Sequence, residues 1–494
     1  MSDTLQAYYT NDNEITDYMV KMLDLKPGDR VFEPCGGAGA FIDAILRNGN
    51  FLQIDTCDIN PAAVKELHEK YGSNESISIK QADTLFDEEF DRMASSPLYD
   101  KIIGNPPYGA WQDYDRRAEL KKKYPGLYVK ETYTLFLYRC LSLLRDGGKL
   151  SFIIPDTFMF LHMHEYLRRF ILENTRIDEI LIFPSRLFPE VSFGYSNLCI
   201  MTLTKCCDES ALNNVACIYK GFQQAAEFHG PFNLPHISSF HLKQSDILHV
   251  ESSTFILSND LVSRIVNSKL GRLGDIANCA TGIYTGDNKR FIKKAAETTR
   301  NGKGYAVVEQ MLIRNNWDSL QPIEEADCFI LFAKGASKTK YVQLEDEWYI
   351  DWGVKAHAHY KNNKKARFQN SEYYFKKGIG IPMVKSKVVK AFLMSNRVFD
   401  QSIVGIFPLK EKDVMPLLGI LNSELVNQLI HAINPTANNS SNYLKRIPIP
   451  SIKGEWIARL SDLVCKMVSN PNNDDVQAEI NKIVFNAYMA ELNQ

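Results

Sequence analysis

The sequence predicts an α/β fold, in which a mostly parallel, doubly wound sheet is followed by a second, α+β domain. Three observations carry this prediction. Short apolar strands alternate with helical patterns, and the regular alternation stops near residue 225. A glycine-rich turn joins the first strand to a helix, and carboxylates stand where successive strands end. At 494 residues the chain also exceeds the usual limit for one hydrophobic core, so we expect two domains, 1–225 and 226–494, with three as the alternative.

Each element follows from its own pattern of apolar residues. In the helices, apolar side chains recur every three or four positions, and in the strands they form short runs that end at Pro, Gly or an acid. The predicted helices cover residues 13–23, 41–48, 62–72, 134–144 and 163–173. The predicted strands cover residues 30–33, 51–57, 77–80, 101–104, 149–154, 177–183 and 196–204. The pair Gly147-Gly148 is expected to end the fourth helix.

The turn between the first strand and its helix reads Pro34-Cys35-Gly36-Gly37-Ala38-Gly39. Its glycines allow the backbone to approach a ligand closely, and the helix that follows supplies unpaired N–H groups. The turn differs from a dinucleotide-binding fingerprint, since Asp43 replaces the third glycine at the expected spacing. Glu33, directly before the turn, would repel a pyrophosphate, so it favours a cationic ligand such as a sulfonium that carries an amino group.

Two further carboxylates follow predicted strands. Asp58 ends the second strand, where an acid is placed to hold ribose hydroxyls, and Asp83 follows the third. Either acid alone would be typical of a solvated loop. Because open α/β sheets bind ligands along the carboxyl edge of their strands, the regular placement of the acids favours a nucleoside site.

The fourth strand ends at Asn105-Pro106-Pro107-Tyr108, which we call the Asn105–Tyr108 turn. Two consecutive prolines cannot continue a helix or donate to a sheet ladder, so the strand must end there. The result is a rigid turn that carries an amide side chain, free carbonyls and an aromatic face. Most Pro-Pro pairs belong to ordinary packed loops. At the carboxyl end of a strand, however, a rigid turn with an amide side chain, carbonyl oxygens and an aromatic ring is suited to binding a planar base through its exocyclic amine.

Composition narrows the class of protein. A hydrophobic fraction of 45%, a charged fraction of 23% and a net charge of −2 are ordinary for a soluble globular protein, so any nucleic-acid contact must come from a local basic surface. We find no apolar stretch that could span a bilayer and no signal-peptide pattern, so we expect a cytoplasmic protein without membrane contact. The ten cysteines are scattered, which predicts reduced thiols, with no metal site and no disulfide frame.

Two segments of the second half carry candidate cations: 280–290 is a glycine-punctuated loop that ends in Lys289 and Arg290, and 352–377 is a basic and aromatic cluster. The later segment interleaves its lysines with aromatic residues and contains a single acid, Glu372. A charge run is usually a solvated face, but in a chain this close to neutral the cluster is a candidate DNA groove. The candidate DNA-binding residues are Lys289, Arg290, Lys361, Lys364, Lys365 and Arg367. Farther on, residues 417–427 read as one buried helix, and a last helix near 473–492 as a packing or dimer element.

Together these motifs resemble the S-adenosylmethionine-dependent amino methyltransferases of DNA, and in particular the N6-adenine enzymes with a C-terminal target-recognition domain. The motif order is the specific part, and the likeness covers nearly the whole chain. It implies a Rossmann-like class I methyltransferase fold and S-adenosyl-L-methionine as the cofactor. The cofactor residues implied by the resemblance are Thr10, Glu33, Pro34, Gly37, Gly39, Asp58, Ile59 and Asp83. Asp58 would hold the ribose, Ile59 would pack on the cofactor adenine, and Asp83 would bind its amino group.

The same resemblance implies the catalytic residues Asn105, Pro106, Pro107 and Tyr108, and a second aromatic wall. Residues 186–190 resemble the late motif that supplies this wall, which we place at Phe188, with Phe193 or Tyr195 as alternatives. Core packing is the competing interpretation of each aromatic residue. Cys35 lies in the cofactor loop rather than after the fourth strand, so we interpret it as a filler residue and not as a nucleophile.

The implied reaction is direct transfer of a methyl group to an adenine amine. Hydrogen bonds from the amine to the Asn105 side chain and the Pro106 carbonyl would strengthen as positive charge develops. The base must be flipped out of the duplex, and stacking on Tyr108, worth ~1–3 kcal/mol, would recover part of that cost. Implied partners are double-stranded DNA and a separately encoded restriction endonuclease, since we find no nuclease segment with room for its own domain.

Other functions fit the same turn. Such a turn also binds an sp² substrate nitrogen in three other classes of enzyme: N4-cytosine DNA methyltransferases, ribosomal RNA guanine methyltransferases and protein-glutamine methyltransferases. The large second domain argues against the protein-glutamine enzymes. An alternative of a different class is a DNA-binding specificity module with an inert methyltransferase fold, and the intact turn and Asp58 argue against it. The recognised DNA site and the oligomeric state stay open.

Overall fold

The computed structural model describes residues 12–48, 53–109, 114–188, 197–206, 208–325, 327–335, 337–342, 348–434, 436 and 438–493. The chain divides into two compact units, Met1–Phe255 and Ile256–Gln494. The first unit extends beyond residue 225, where we predicted the boundary, because the strand pair 215–220 and 238–243 joins its sheet. Thr10, Phe193 and Tyr195 lie outside the described residues.

The described residues of the first unit form a nine-stranded sheet. Its strands are β1 (Arg30–Glu33), β2 (Gln53–Asp58), β3 (Ile77–Gln81), β4 (Tyr99–Gly104), β5 (Leu144–Pro155), β6 (Thr175–Pro184), β7 (Asn197–Lys205), β8 (Val215–Lys220) and β9 (Ser238–Lys243). The strand order is β3-β2-β1-β4-β5-β7-β6-β8-β9. Strands β1 to β5 are parallel, whereas β7 is antiparallel to β5 and β6. The predicted mostly parallel, doubly wound sheet is confirmed.

Helices connect these strands. In the first unit they are α1 (Asn13–Leu23), α2 (Ala40–Asn48), α3 (Pro61–Tyr71), α4 (Glu88–Met93), α5 (Tyr114–Lys123), α6 (Thr132–Leu143), α7 (Glu165–Asn174), α8 (Glu209–Asn213) and α9 (Gln244–His249). All five predicted helices form. Local sequence explains their starts: the Asp12 side chain accepts from the Glu14 N–H, and Asn60 caps α3 with proline in its first turn.

The pair Gly147-Gly148 does not end a helix, contrary to our prediction. Helix α6 ends at Leu143, and both glycines lie within β5. A Cβ atom on Gly148 would lie 2.9 Å from the Asp100 carbonyl oxygen, next to the register shift between β4 and β5. Gly147 has a φ of +77°. The glycines therefore serve an irregular strand pairing, which needs a close backbone approach.

The sheet brings the carboxyl ends of β1 to β5 to one edge. Strand order reverses between β1 and β4, since β2 and β3 lie on one side of β1 and the later strands on the other. Register places Glu33 opposite Thr56, and Gly104 opposite Phe152. In open α/β sheets, a ligand binds at the crevice that such a reversal opens.

In the second unit, the described residues form two smaller sheets. The strands are β10 (Ala277–Thr281), β11 (Ile292–Lys294), β12 (Phe329–Ala333), β13 (Tyr341–Val342), β14 (Trp348–Asp351), β15 (Gly378–Pro382), β16 (Phe392–Met394), β17 (Val398–Phe399) and β18 (Ile403–Pro408). Their orders are β10-β18-β15-β16-β13 and β11-β14-β12-β17. The helices are α10 (Asp260–Val266), α11 (Leu273–Ile276), α12 (Asn288–Phe291), α13 (Val354–Asn362), α14 (Val414–Leu421), α15 (Glu424–Ile433), α16 (Ser441–Leu444), α17 (Trp456–Ser469) and α18 (Asp474–Leu492).

The single buried helix predicted at 417–427 is two helices, α14 and α15. They are separated because the Asn422 side chain bonds the backbone of Ala391 and Ser423 caps α15. The predicted last helix is confirmed as α18. Its buried residues pack within the unit, so it is a packing element of this chain.

Candidate functional site

The glycine-rich turn lies tightly against the end of β2. The Gly36 N–H donates to the Cys57 carbonyl at 2.9 Å, and a Cβ on Gly36 would lie 2.4 Å from Thr56 Oγ1. Gly37 and Gly39 have φ values of +53° and +85°, a region that favours glycine. Glycine at these positions therefore lets the turn keep this shape without steric or conformational strain.

Side chains of α3 support the other end of this turn. Lys70 Nζ donates to the Ala38 carbonyl at 2.7 Å. The Tyr71 hydroxyl lies 3.1 Å from the Gly39 carbonyl oxygen and 2.6 Å from Asp43 Oδ1. Sequence reasoning missed both residues, because a lysine and a tyrosine near the end of a surface helix give no pattern that points to a neighbouring turn.

Glu33 is a buried carboxyl group at the end of β1. Its side chain is 1% exposed, and Thr56 Oγ1 donates to Glu33 Oε2 at 3.4 Å. Burial, followed by the nearby Asp58 carboxylate, raises the pKa of Glu33 well above its ordinary value. Such a group favours a cationic ligand, which would stabilise its ionised form. Pro34, the next residue, accepts through its carbonyl from Thr84 Oγ1 at 2.6 Å.

Asp58 joins the end of β2 directly to the glycine-rich turn. Its Oδ2 accepts from the Gly37 N–H at 3.0 Å, and its Oδ1 accepts from the Asn60 N–H at 2.8 Å. A carboxylate offers about four acceptor positions, so two remain for hydroxyl groups of a ligand. The neighbouring Ile59 side chain is 43% exposed, which leaves an apolar surface beside the carboxylate.

Asp83 lies in the loop after β3 and carries an ion pair. Its Oδ1 accepts from the Leu85 N–H at 3.0 Å, and its Oδ2 lies 2.7 Å from Arg116 Nη2. The Arg116 guanidinium carbon is 5.0 Å from the centroid of the Phe86 ring. Arg116 was not predicted, since its helix carries no apolar pattern.

The Asn105–Tyr108 turn follows β4 and lies next to the glycine-rich turn. Cys35 Sγ donates to the Asn105 carbonyl at 3.4 Å, and the Thr132 N–H donates to the Tyr108 carbonyl at 2.9 Å. Pro106 and Tyr108 are buried, whereas Asn105 and Pro107 are partly exposed. Burial raises the pKa of Cys35 well above its ordinary value, so the thiol stays protonated, in keeping with a filler residue.

A buried acid follows β5, the strand beside β4. Asp156 is 8% exposed and accepts from Asn197 Nδ2 at 3.1 Å, and burial raises its pKa to about 6. Phe188, the predicted aromatic wall, is 6% exposed, and its ring centroid lies 6.1 Å from that of Phe183. The Asp156–Asn197 pair escaped sequence reasoning because neither residue belongs to a motif.

In the second unit, the fold brings the two predicted basic segments together. The backbones of Tyr284 and Arg367 exchange hydrogen bonds of 3.2 and 2.8 Å. His359 Nε2 lies 3.0 Å from the Thr285 carbonyl oxygen. The exposed cations near this junction are Lys289, Arg290, Lys361, Lys364, Lys365 and Arg367. The structure therefore unites side chains that the sequence separates by about seventy residues.

The aromatic residues between these cations are buried or half-buried, contrary to our interpretation of the segment as a basic and aromatic groove. Trp352, Tyr360 and Tyr374 are at most 4% exposed and belong to one hydrophobic core cluster. Phe368 and Tyr373 pack against the same cluster. The aromatic pattern therefore mainly builds the core of the second unit, whereas the six candidate cations are exposed.

Within the described part of the chain, no group of three or more His, Cys, Asp or Glu side chains is arranged to hold a metal ion. No described helix combines the length and the apolar character needed to cross a membrane. Neither finding helps to decide which reaction the protein catalyses, and that question depends on the residues at the strand ends.

The sequence is similar to known methyltransferases over part of its length. Residues 44–188 match the family of the Eco57I restriction-modification methylase. The chain is 28% identical over 197 residues to the type II methyltransferase M.HincII of Haemophilus influenzae, covering 38% of this chain and 36% of that protein. It is 24% identical over 394 residues to the adenine-specific methyltransferase BrxX of Escherichia coli O9:H4 (strain HS), covering 77% of this chain and 30% of that protein. The chain thus spans about a third of the length of these relatives.

A solved structure resembles the described fold over most of the chain. This structure is a nuclease-deletion mutant of the type ISP restriction-modification enzyme LlaGI in complex with a DNA substrate mimic. The TM-score is 0.54 at 14% identity, with 94% of this chain and 55% of that chain covered. The doubly wound α/β sheet predicted for the first half is confirmed, and the second unit adds its own sheets and helices.

Proposed function

We propose that this protein is a site-specific DNA methyltransferase that acts on N6 of a flipped adenine in double-stranded DNA, with S-adenosyl-L-methionine as the methyl donor. One observation carries the proposal: three acceptor carboxylates and the Asn105–Tyr108 turn follow neighbouring strands at one edge of the sheet. The names of the relatives, which are restriction-modification and adenine-specific methyltransferases, support the choice of DNA and of adenine.

The residues present fit this cofactor. Glu33 is a buried acid that a cationic amino acid group would stabilise, and Asp58 keeps two acceptor positions for ribose hydroxyls. Ile59 offers apolar surface to a purine, and Asp83 offers an acceptor to its amino group. When bound, S-adenosyl-L-methionine supplies an activated methyl group, which needs no protein nucleophile.

In this proposal the Asn105–Tyr108 turn binds and activates the target amine. An adenine amine is a weak nucleophile because its lone pair is delocalised into the ring. The Asn105 side-chain oxygen and the Pro106 carbonyl would each accept a hydrogen bond from one N–H of the amine, which favours a pyramidal nitrogen with a localised lone pair. These bonds strengthen as positive charge develops on nitrogen, and this difference between ground and transition state is what accelerates the reaction.

The turn is rigid before the base arrives, which reduces the cost of assembling the transition state. Two prolines fix its backbone, and the Thr132 N–H holds the Tyr108 carbonyl. After the transfer the methylated nitrogen is positively charged and still carries two hydrogens, one of which leaves as a proton to water while the other stays on the product. We assign Tyr108 and Phe188 to stacking on the flipped base, which requires these two buried rings to become accessible when the base binds. We assign the cations around the Tyr284–Arg367 junction to the DNA backbone.

In this proposal the methylation protects host DNA from a separately encoded restriction endonuclease. The N4 amine of cytosine is the alternative target, since it is also an exocyclic amine on a planar ring. An inert specificity module is the alternative of another class, and it would not bind the cofactor in a titration.

Long-read modification mapping of DNA from cells that express the protein tests the proposal. We expect N6-methyladenine at one fixed sequence motif, and its absence in cells that express Asn105→Ala. If the mapping finds N4-methylcytosine at a fixed motif instead, the target base is cytosine and not adenine. No modified base in DNA, with the wild-type protein folded and present, would refute the proposed activity.

A further inference from the structure

Helix α5 is held to the loop after β3 at its first turn. Arg116 Nη2 lies 2.7 Å from Asp83 Oδ2, and the two side chains are 33% and 21% exposed. The guanidinium also lies over Phe86, with 5.0 Å between its central carbon and the ring centroid. A guanidinium held by a carboxylate and a ring face is fixed in orientation, because both contacts depend on its plane.

The last turn of α5 is attached to the same loop. Lys123 Nζ lies 5.5 Å from the centroid of the Phe86 ring, and the Tyr124 hydroxyl donates to the Leu85 carbonyl at 2.6 Å. Among the described residues of this helix only Leu120 is buried, so apolar packing contributes little to its position. Contacts with residues 83–86, together with the 2.8 Å ion pair between Lys123 and Asp91, therefore place α5, the helix that follows the Asn105–Tyr108 turn.

We propose that Arg116 is a positioning residue for the adenine of the cofactor, which it serves by fixing the carboxylate of Asp83. This inference rests on the proposed function, which assigns the cofactor amino group to Asp83. The Leu85 N–H and Arg116 occupy one acceptor position on each carboxylate oxygen. Two positions remain, and the ion pair holds the carboxylate in one plane.

Removing Arg116 takes away one of these two donors and leaves the Leu85 N–H on Asp83. The carboxylate then rotates more freely and must be ordered when the ligand binds, which weakens the hydrogen bond from the amino group. The effect is specific to that amino group. A ligand without it gains nothing from Asp83 and is insensitive to Arg116.

Calorimetric titration with two ligands tests this inference. The ligands are S-adenosylhomocysteine and its 6-deamino analogue, which has a purine ring without the amino group. In Arg116→Ala we expect the Kd of S-adenosylhomocysteine to rise about tenfold, the size of one charge-assisted hydrogen bond, while the Kd of the deamino analogue changes less than about twofold. Arg116→Lys, which keeps the charge, is expected to recover part of the difference.

Lys122→Ala is the matched control, because Lys122 is an exposed lysine of the same helix and should leave both constants unchanged. Equal weakening of both ligands in Arg116→Ala and in Arg116→Gln would overturn the inference and indicate a general structural effect. An unchanged Kd for S-adenosylhomocysteine in these variants would also overturn it. If the wild-type protein bound neither ligand, the proposed function would fail with it.

Discussion

Asp58 accepts a hydrogen bond of 3.0 Å from the backbone N–H of Gly37, so one carboxylate both supports the glycine-rich turn and faces the proposed ribose site. Asp58→Ala removes two acceptor positions for ribose and loosens the turn. We expect the KM for S-adenosylmethionine to rise about 10- to 100-fold, with a smaller effect on kcat. Steady-state kinetics at varied cofactor concentration measures this change. Glu69→Ala, which removes an exposed carboxylate of α3, is the control and should leave KM unchanged.

Cofactor binding should release a proton from Glu33. Burial and the Asp58 carboxylate raise the pKa of Glu33, so the free protein holds this group protonated to a higher pH than usual. A bound cation favours the carboxylate and lowers that pKa. Affinity should therefore increase as the pH rises towards the raised pKa and level off above it.

Calorimetry in two buffers with different ionisation enthalpies measures this release at a single pH. Glu33→Gln should bind without proton release and with an affinity independent of pH in the same range. A proton release equal in wild type and Glu33→Gln would assign the effect to another group.

Asn105→Ala should slow methylation strongly and leave binding intact. The variant lacks the side-chain acceptor for the amine, and the loss of one preorganised polar contact of this kind costs about 10²- to 10³-fold in rate. A radiolabelled methyl-transfer assay, combined with cofactor titration and DNA gel shift, separates the two effects. Asn213→Ala, at a remote helix of the same unit, serves as the control. Near wild-type turnover in Asn105→Ala would remove this residue from the catalytic role.

The first unit could be predicted from the sequence because its strands are short, apolar and separated by clear turns. Buried parallel strands read as apolar runs, and the residues that follow them must meet at one edge, which places Glu33, Asp58 and Asp83 without any knowledge of tertiary contacts. Arg116 could not be predicted, since its role depends on an ion pair across 33 residues on a helix without an apolar face.

The second unit shows where sequence reasoning fails. Trp352 and Tyr360 alternate with lysines, and composition cannot distinguish an aromatic residue of a core from one on a surface. Some of its strands are also very short, with two residues each in Tyr341–Val342 and in Val398–Phe399. Strands of this length are too short to show an alternating pattern of apolar and polar residues. Pairing with strands that are distant in sequence determines where such strands form, and the local sequence contains no signal for that pairing.

DNA binding should depend on the exposed lysines around the Tyr284–Arg367 junction mainly through charge, because Trp352, Tyr360 and Tyr374 of the same segment are buried. In the triple variant Lys361→Ala, Lys364→Ala, Lys365→Ala we expect weaker binding to all DNA sequences. The slope of log K against log salt should become shallower by about 0.9 for each DNA phosphate that the protein no longer neutralises. Fluorescence anisotropy at several salt concentrations measures the slope. Lys410→Ala with Lys412→Ala, two exposed lysines elsewhere in the unit, should not change it.

Arg168 should be a strong determinant of the stability of the first unit. Its side chain is fully buried and donates to the carbonyls of Phe158, Leu161 and Ser252 at 2.6 to 3.0 Å. Arg168→Met fills a similar volume but leaves these acceptors without their donor, and an unsatisfied buried group costs about 1–3 kcal/mol.

We therefore expect the free energy of unfolding to fall by on the order of 4 kcal/mol in Arg168→Met, measured by urea denaturation. Arg169→Met is the matched control on the next residue. Arg169 forms an exposed ion pair of 2.9 Å with Glu173, and such pairs contribute about 0.5 kcal/mol or less. Equal effects of the two substitutions would contradict the assignment, because they would show that the buried carbonyls find other donors.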